Sequence, residues 1–318
     1  MDTARTDLAL EAKEKFEKDH VEIGGVVVDE DYLEKENVHI SRVVIETEKG
    51  AKAMGKPKGT YITLEAVEMS EMDEGYHREI SRVLADCLKE LLPHPMPENF
   101  SVLVVGLGNR DVTPDALGPF VVNHLHINRH LVKEYGKAAL EKEQGAILSG
   151  LVPGVMGQTG METVEIIKGV VEEAKPDLVI AIDALAARNA KRLNRTIQIA
   201  NTGIHPGSGV GNQRHAINEE SLGVPVIAIG VPTVVDAATI VGDAMENLLS
   251  TLEDNTNTQA SKLAKVFREF DASDRRALVL EVLSPNLNGM FVTPKDIDET
   301  IRHISYTISE ALHMAMES

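Results

Sequence analysis

Short apolar clusters open the chain. Val26 to Val28, Val38 to Glu46 and Thr60 to Ala66 are rich in Val, Ile, Thr and Tyr with partial alternation, which predicts β structure near the front of the domain. A helix is predicted from about Asp73 to Leu92, ended by the Pro-rich segment Pro93 to Pro97. From residue 101 the pattern changes to short apolar runs alternating with helical segments: Ser101 to Val105, Ala146 to Val152, Leu178 to Ile182, Thr196 to Ala200 and Val224 to Ile229. Each is bordered by Gly, Pro or a helix-start signal. This is the signature of an α/β fold, a mostly parallel, doubly wound sheet flanked by helices, here with extra N-terminal β structure. Helices are predicted at Pro114 to Ile127, Thr159 to Ala174 and Val235 to Leu252, with Thr159 and Glu162 in capping-box spacing. Ser250 to Ser261 is polar and predicts a surface loop. Beyond it, helices at Lys262 to Phe270, Ser273 to Leu283 and Pro294 to Met316 carry apolar faces that should pack back on the sheet.

Composition narrows the class. A chain of 318 residues with 43% hydrophobic content can bury a substantial core. No apolar stretch reaches the length of about 18 residues that a membrane span needs, and Met1 to Asp19 is charged where a secretory signal would be apolar. The expectation is a cytoplasmic protein with no membrane partner. Cys87 is the single cysteine, so neither an intrachain disulfide nor a Cys-based zinc site can form, and its plain reading is a helix-face residue. With 32 basic and 50 acidic side chains the formal charge is -18. That argues against direct binding to nucleic acid, which depends on Lys and Arg displacing counterions, and favours a protein or peptide partner.

In open parallel sheets ligands bind beyond the carboxyl ends of the strands. Three segments there are unusual: GLGNRDVTPDALGP after the run at 101, DALAAR after the run at 178, and NTGIHPGSGVGN after the run at 196. In the first, Thr113 suits an N-cap, Pro114 the first helical position, and Asp115 the opening turn, where the helix dipole favours negative charge. Asp115 is therefore either an ordinary helix-start carboxylate or a functional one; Asp111 shares the loop. Asp183 directly follows five apolar residues, and a charge at such a strand end is costly unless it is paired or used. If Asp115 and Asp183 met, one ionised and one protonated, they could act as general base and general acid on water. The third segment holds Gly203, Gly207, Gly209 and Gly211 around His205 and Ser208, a tight backbone that could line a cleft. It lacks a P-loop Lys and G-x-G-x-x-G spacing, which disfavours nucleotide binding. His205 and His215 are candidate ligands or acid/base groups, with simple hydrogen bonding as the plainer role. No G-x-S-x-G elbow is present.

The runs VVGLGN (104–109), VTPDALGP (112–119), LVPGVMGQTG (151–160), AIDALAAR (181–188), GIHPGSGVGN (203–212) and GVPVIAIGVPTVVDA (223–237) resemble those of the germination proteases, and the similarity stretches from RTDLALEA near the start to VTPKDID (292–298). The resemblance implies a homotetrameric aspartic-type endopeptidase with a fold like that of the hydrogenase maturation proteases, acting on small acid-soluble spore proteins in the forespore and spore core. It implies Asp115 and Asp183 as the catalytic carboxylates; beside that pair, Asn109, His205, Gly207 and Gly209 are the residues expected to line the site, and neither a cofactor nor a bound metal is expected. The resemblance also implies a zymogen. Thr6-Asp7-Leu8-Ala9-Leu10-Glu11 fits the family's cleavage pattern, so residues 1–7 are expected to be a propeptide removed between Asp7 and Leu8. Residues 8–318 would then form a single peptidase domain, with its core at about 100–250 and C-terminal helices at 262–316. The nearest rival is a metal-assisted endopeptidase, which would need a third ligand, His205 first.

Overall fold

A computed structural model of the chain describes residues 23–70, 73–137, 145–207, 215–253 and 289–317, with 274, 277–279 and 281 between the last two. Among the described residues one sheet of nine strands runs through the molecule in the order β1-β2-β3-β7-β8-β6-β4-β5, with β9 paired to β8. The strands are β1 Val26–Leu33, β2 Val38–Ile45, β3 Gly59–Ala66, β4 Ser101–Gly106, β5 Ile147–Leu151, β6 Leu178–Ala187, β7 Thr196–Ala200, β8 Val226–Asp236 and β9 Phe291–Val292. The helices used below are α1 Glu48–Met54, α2 Glu74–Lys89, α3 Leu117–His124, α4 Arg129–Tyr135, α5 Thr163–Ala174, α6 Ala237–Glu253 and α7 Ile297–Met316.

The α/β class expected from the pattern is present, and pairing divides the sheet in two. β5, β4, β6 and β8 are parallel, and their connecting helices cover both faces. β1, β2, β3 and β7 extend the sheet antiparallel. The run at 196, grouped by pattern with the parallel strands, therefore belongs to the antiparallel part. Its short connection from β6 is too brief for a crossover helix, so the chain turns back and enters in the opposite sense.

Side chains at successive positions go to opposite faces, as the strand period of two requires. Val102, Val104, Ile180 and Ile182 pack with Ile80, Leu84, Leu117, Val121, Ile304 and Ile308 of α2, α3 and α7. Leu103, Val105, Val179 and Ala181 pack with Ile167 and Val171 of α5 on the other face. Burial on both faces is why these strands read as unbroken apolar runs. A smaller cluster, Val43, Ile45, Tyr61 and Met54, lies under α1.

Several local expectations shift. The predicted Thr159/Glu162 box is displaced by one turn: Thr159 ends a one-turn helix at Met156–Thr159, and the reciprocal box joins Glu162 to Glu165 at the start of α5. The cause is Gly160, which takes a left-handed conformation at φ 71° and interrupts the helix. Residues 250–253 continue α6 instead of opening a loop. The remainder of the predicted loop, the helix at 262–270, most of that at 273–283 and the arm containing Asp7 and Leu8 lie outside the described residues.

Candidate active site

Chain order places β4 at a reversal: β5 lies on one side of it and β6 on the other. The crevice beyond the carboxyl ends at such a switch point is the usual ligand site of an open α/β sheet. Here the crevice is a cleft of about 390 Å³ lined by Gly108, Asp115, Asp183, Leu185, His205 and Thr233 among others. A larger cavity, about 710 Å³, lies between α2, α3 and α7 around His77, Phe120 and His303, and neither carboxylate lines it. Chemistry therefore points to the smaller space.

Asp115 ends a 3-10 turn, Thr113–Asp115, that leads into α3. Val112 stands at the cap position with no side-chain capping bond, so Thr113 is the first residue of the turn and not its N-cap, and Pro114 takes the second position in place of the first. The turn is pinned from two directions. The Asn109 N–H donates to Asp115 Oδ2 at 2.7 Å, and Thr233 Oγ1 on β8 donates to the Pro114 carbonyl at 2.6 Å. Gly108, at φ +109°, permits the close approach: a Cβ there would stand 1.9 Å from the Asp115 carbonyl oxygen. Gly118 does the same for α3, since a Cβ would lie 2.6 Å from the carbonyl of Ile182. The helix that follows Asp115 is thus seated directly against the residue that precedes Asp183.

Asp183 is only 6% exposed. Its Oδ1 accepts the N–H of Ala184 at 3.0 Å. The strand does not stop at Asp183, as its place after the apolar run predicts; β6 continues to Ala187 because β8 runs beside it as far as Val235. Pairing with β4, however, ends at Gly106 with Ile182. Asp183 is therefore the first residue past the end of β4 and faces the crevice from mid-strand.

The two aspartates line one cleft. Of the other candidates, His205 and Gly207 line it as well, with His205 exposed and Gly207 at φ 72°. Asn109 acts behind the wall, holding Asp115 through its N–H and accepting from Gln158 Nε2 at 3.0 Å through its side chain. His215 is exposed and not among the lining residues. Gly209 lies outside the described residues. Among the described residues no group of three His, Cys, Asp or Glu side chains is placed to hold a metal ion, so Asp115, Asp183 and His205 share a cleft without forming a ligand set.

Sequence reading missed Thr233, Thr293, Val155 and Phe291, all lining residues. Thr293 Oγ1 donates to the Thr233 carbonyl at 3.0 Å, tying the segment after β9 to the site. The available signal for Thr233 was Pro232 inside an apolar run, which in a strand marks a bulge. The register of β6 and β8 does shift there, with Leu185 opposite Pro232 and Ala186 opposite Val234.

Comparison with known proteins gives consistent matches. A family model described as germination protease matches residues 3–267. The germination protease of Caldanaerobacter subterraneus subsp. tengcongensis is 50% identical over 313 residues, covering 98% of this chain and 94% of that one. Those of Clostridium perfringens and Bacillus subtilis are 45% and 42% identical, covering 100% and 98% of this chain and 96% and 93% of theirs. Among solved structures, a [NiFe] hydrogenase maturation protease, HycI from Thermococcus kodakarensis KOD1, is 18% identical with a TM-score of 0.28, covering 57% of this chain and 97% of that one.

Proposed function

The chain belongs to the germination protease family, and from that premise we propose that it is an aspartic-type endopeptidase that begins the digestion of small acid-soluble spore proteins, with Asp115 and Asp183 as its catalytic carboxylates. One observation carries the choice of residues: a buried aspartate and a half-buried one, supplied by different segments, line a single cleft at the switch point of the sheet. Two carboxyl groups that share a site can hold one proton between them, which supplies a base and an acid at once.

In the proposed reaction the ionised carboxylate takes a proton from water as the water oxygen bonds to the peptide carbonyl carbon. The protonated partner gives its proton to the carbonyl oxygen. The C–N bond then breaks, a proton passes to the departing nitrogen, and a carboxyl and an amine group leave. The same reading takes the chain as a homotetramer of the forespore and spore core, made as a zymogen that removes residues 1–7 by cutting between Asp7 and Leu8.

The test uses purified chain and a small acid-soluble spore protein at mildly acidic pH, with the products resolved on a gel and the new N-terminus of the enzyme sequenced. Asp183→Asn and Asp115→Asn are expected to keep the fold and to lose both substrate cleavage and self-processing by more than about 100-fold, the scale of a general acid or base. A variant that cuts at the unaltered rate removes that residue from the mechanism. Cleavage is expected to persist after exhaustive chelation; loss that is restored by a divalent metal would favour the metal-assisted reading instead.

A further inference from the structure

β6 outruns the strand beside it. β4 pairs with β6 only as far as Gly106 with Ile182, while β6 continues along β8 to Ala187. On the β4 side, no strand among the described residues pairs with residues 183–187. The backbone groups of successive strand residues turn to alternate sides. The Ile182 carbonyl faces the β4 side, where it accepts the Leu107 N–H at 2.8 Å, so the N–H and C=O of Ala184 and Ala186 turn the same way. That side is not packed shut: Ala184, Leu185 and Ala186 line the cleft together with Gly108, Val112 and Asp115.

An open stretch of strand edge is a template for an added strand. The Ala184 N–H already donates to Asp183 Oδ1, which leaves the Ala184 carbonyl and both Ala186 groups as the pairing positions. Their side chains are methyl groups, so a polypeptide can approach the backbone closely. Two apolar side chains that line the same cleft, Val112 and Phe291, are 48% and 40% exposed and offer surface for the alternate side chains of such a strand to cover.

Resting on the peptidase reading, we infer that the substrate polypeptide binds extended, as an added strand beside residues 184–186 of β6 where β4 has stopped, with its backbone paired to Ala184 and Ala186. This seats the scissile carbonyl beside Asp183 at the start of the open edge, with Asp115 across from it. Recognition would then depend first on main-chain hydrogen bonds and secondarily on side chains.

Backbone methylation tests the pairing directly. The peptide Ala-Arg-Thr-Asp-Leu-Ala-Leu-Glu-Ala-Lys, matching residues 4–13, and a series with one N–H methylated at a time are titrated into the full chain carrying Asp115→Asn, so that binding alone is read. Unmodified peptide and a small acid-soluble spore protein are offered in parallel to the unaltered chain. The expected result is alternation: methylation at every second position around the scissile bond weakens binding about tenfold, and at the intervening positions less than about twofold. Uniform effects, no effect, or no binding of the unmodified peptide overturns the added-strand arrangement. Alternation without cleavage of either substrate keeps the arrangement and removes the peptidase reading, and cleavage without alternation does the reverse.

Discussion

Thr233 holds the turn that carries Asp115 from the far side of β6. It is 1% exposed, its hydroxyl donates to the Pro114 carbonyl, and its own carbonyl accepts from Thr293. Replacing it with Val keeps the shape and removes the donor, leaving the Pro114 carbonyl unmatched beside a methyl group. We expect Thr233→Val to lose about 1–3 kcal/mol of stability and to lower kcat more than it raises KM, because Asp115 loses its brace while the added-strand edge is untouched. Thr233→Ser should restore both, measured by thermal melts and steady-state cleavage; a Ser variant as impaired as Val would remove the hydroxyl from the account. The two aspartates were legible because a carboxylate after five apolar residues, or behind a Thr-Pro helix start, is chemically conspicuous. Thr233 was less so: Pro232 inside the apolar run hints at a bulge, but the register shift that gives Thr233 its place exists only once β6 and β8 are side by side.

Among the elements, α7 shows both what periodicity reveals and what it hides. Its apolar stripe predicted a helix from Pro294 to Met316, and the structure has it from Ile297 to Met316, packed on α2 and α3. The polar contacts within that packing were not legible. His313 is 7% exposed, stacks on His126 with centroids 4.4 Å apart, and accepts the His126 N–H on Nε2 at 2.9 Å. That acceptor exists only while the ring is neutral. Burial above all, and then the nearby charge of His126, push the His313 imidazole below its ordinary value, against the opposing pull of Glu310 and Glu317. The unfolded chain therefore takes up this proton at higher pH than the folded one. The stabilisation is present above about pH 6.5, the unfolded value, and is lost as pH falls through it toward the lower folded value. The melting temperature should fall between pH 7.5 and 5.5, and His313→Gln, which keeps an acceptor and cannot titrate, should fall less; equal slopes would show that other groups govern the acid limb. The short helix α4 escaped the pattern: it buries none of its side chains, so it has no apolar stripe to detect.

At the scale of the molecule, the antiparallel strands and the parallel half share one core. Val38, Ile40, Ile62 and Leu64 of β2 and β3 belong to the same buried cluster as Ile180, Ile229 and Ile304, so neither half can expose its face without exposing the other's. Sequence patterning identified strands at both ends but could not show that they form one sheet, because that depends on β7 reversing direction between β3 and β8. Arg42 fastens the outer edge. Its Nε and Nη2 bind the Glu90 carboxylate at the end of α2 at 2.7 to 3.1 Å, and its Nη1 binds Asp31 of β1 at 2.6 Å. Its side chain is 22% exposed, so solvent and salt weaken the arrangement, and Arg42→Ala should cost about 1 kcal/mol. If the core is continuous, calorimetry of the unaltered chain will show the strands of both halves melting together, and Arg42→Ala will lower that transition by about 2–4 °C without splitting it. High salt should shrink the difference between the two proteins. A separate early transition in the variant would mean that the β1–β2 hairpin is held by its ion pairs alone, and that the cluster joining the two halves contributes less to cohesion than its burial requires.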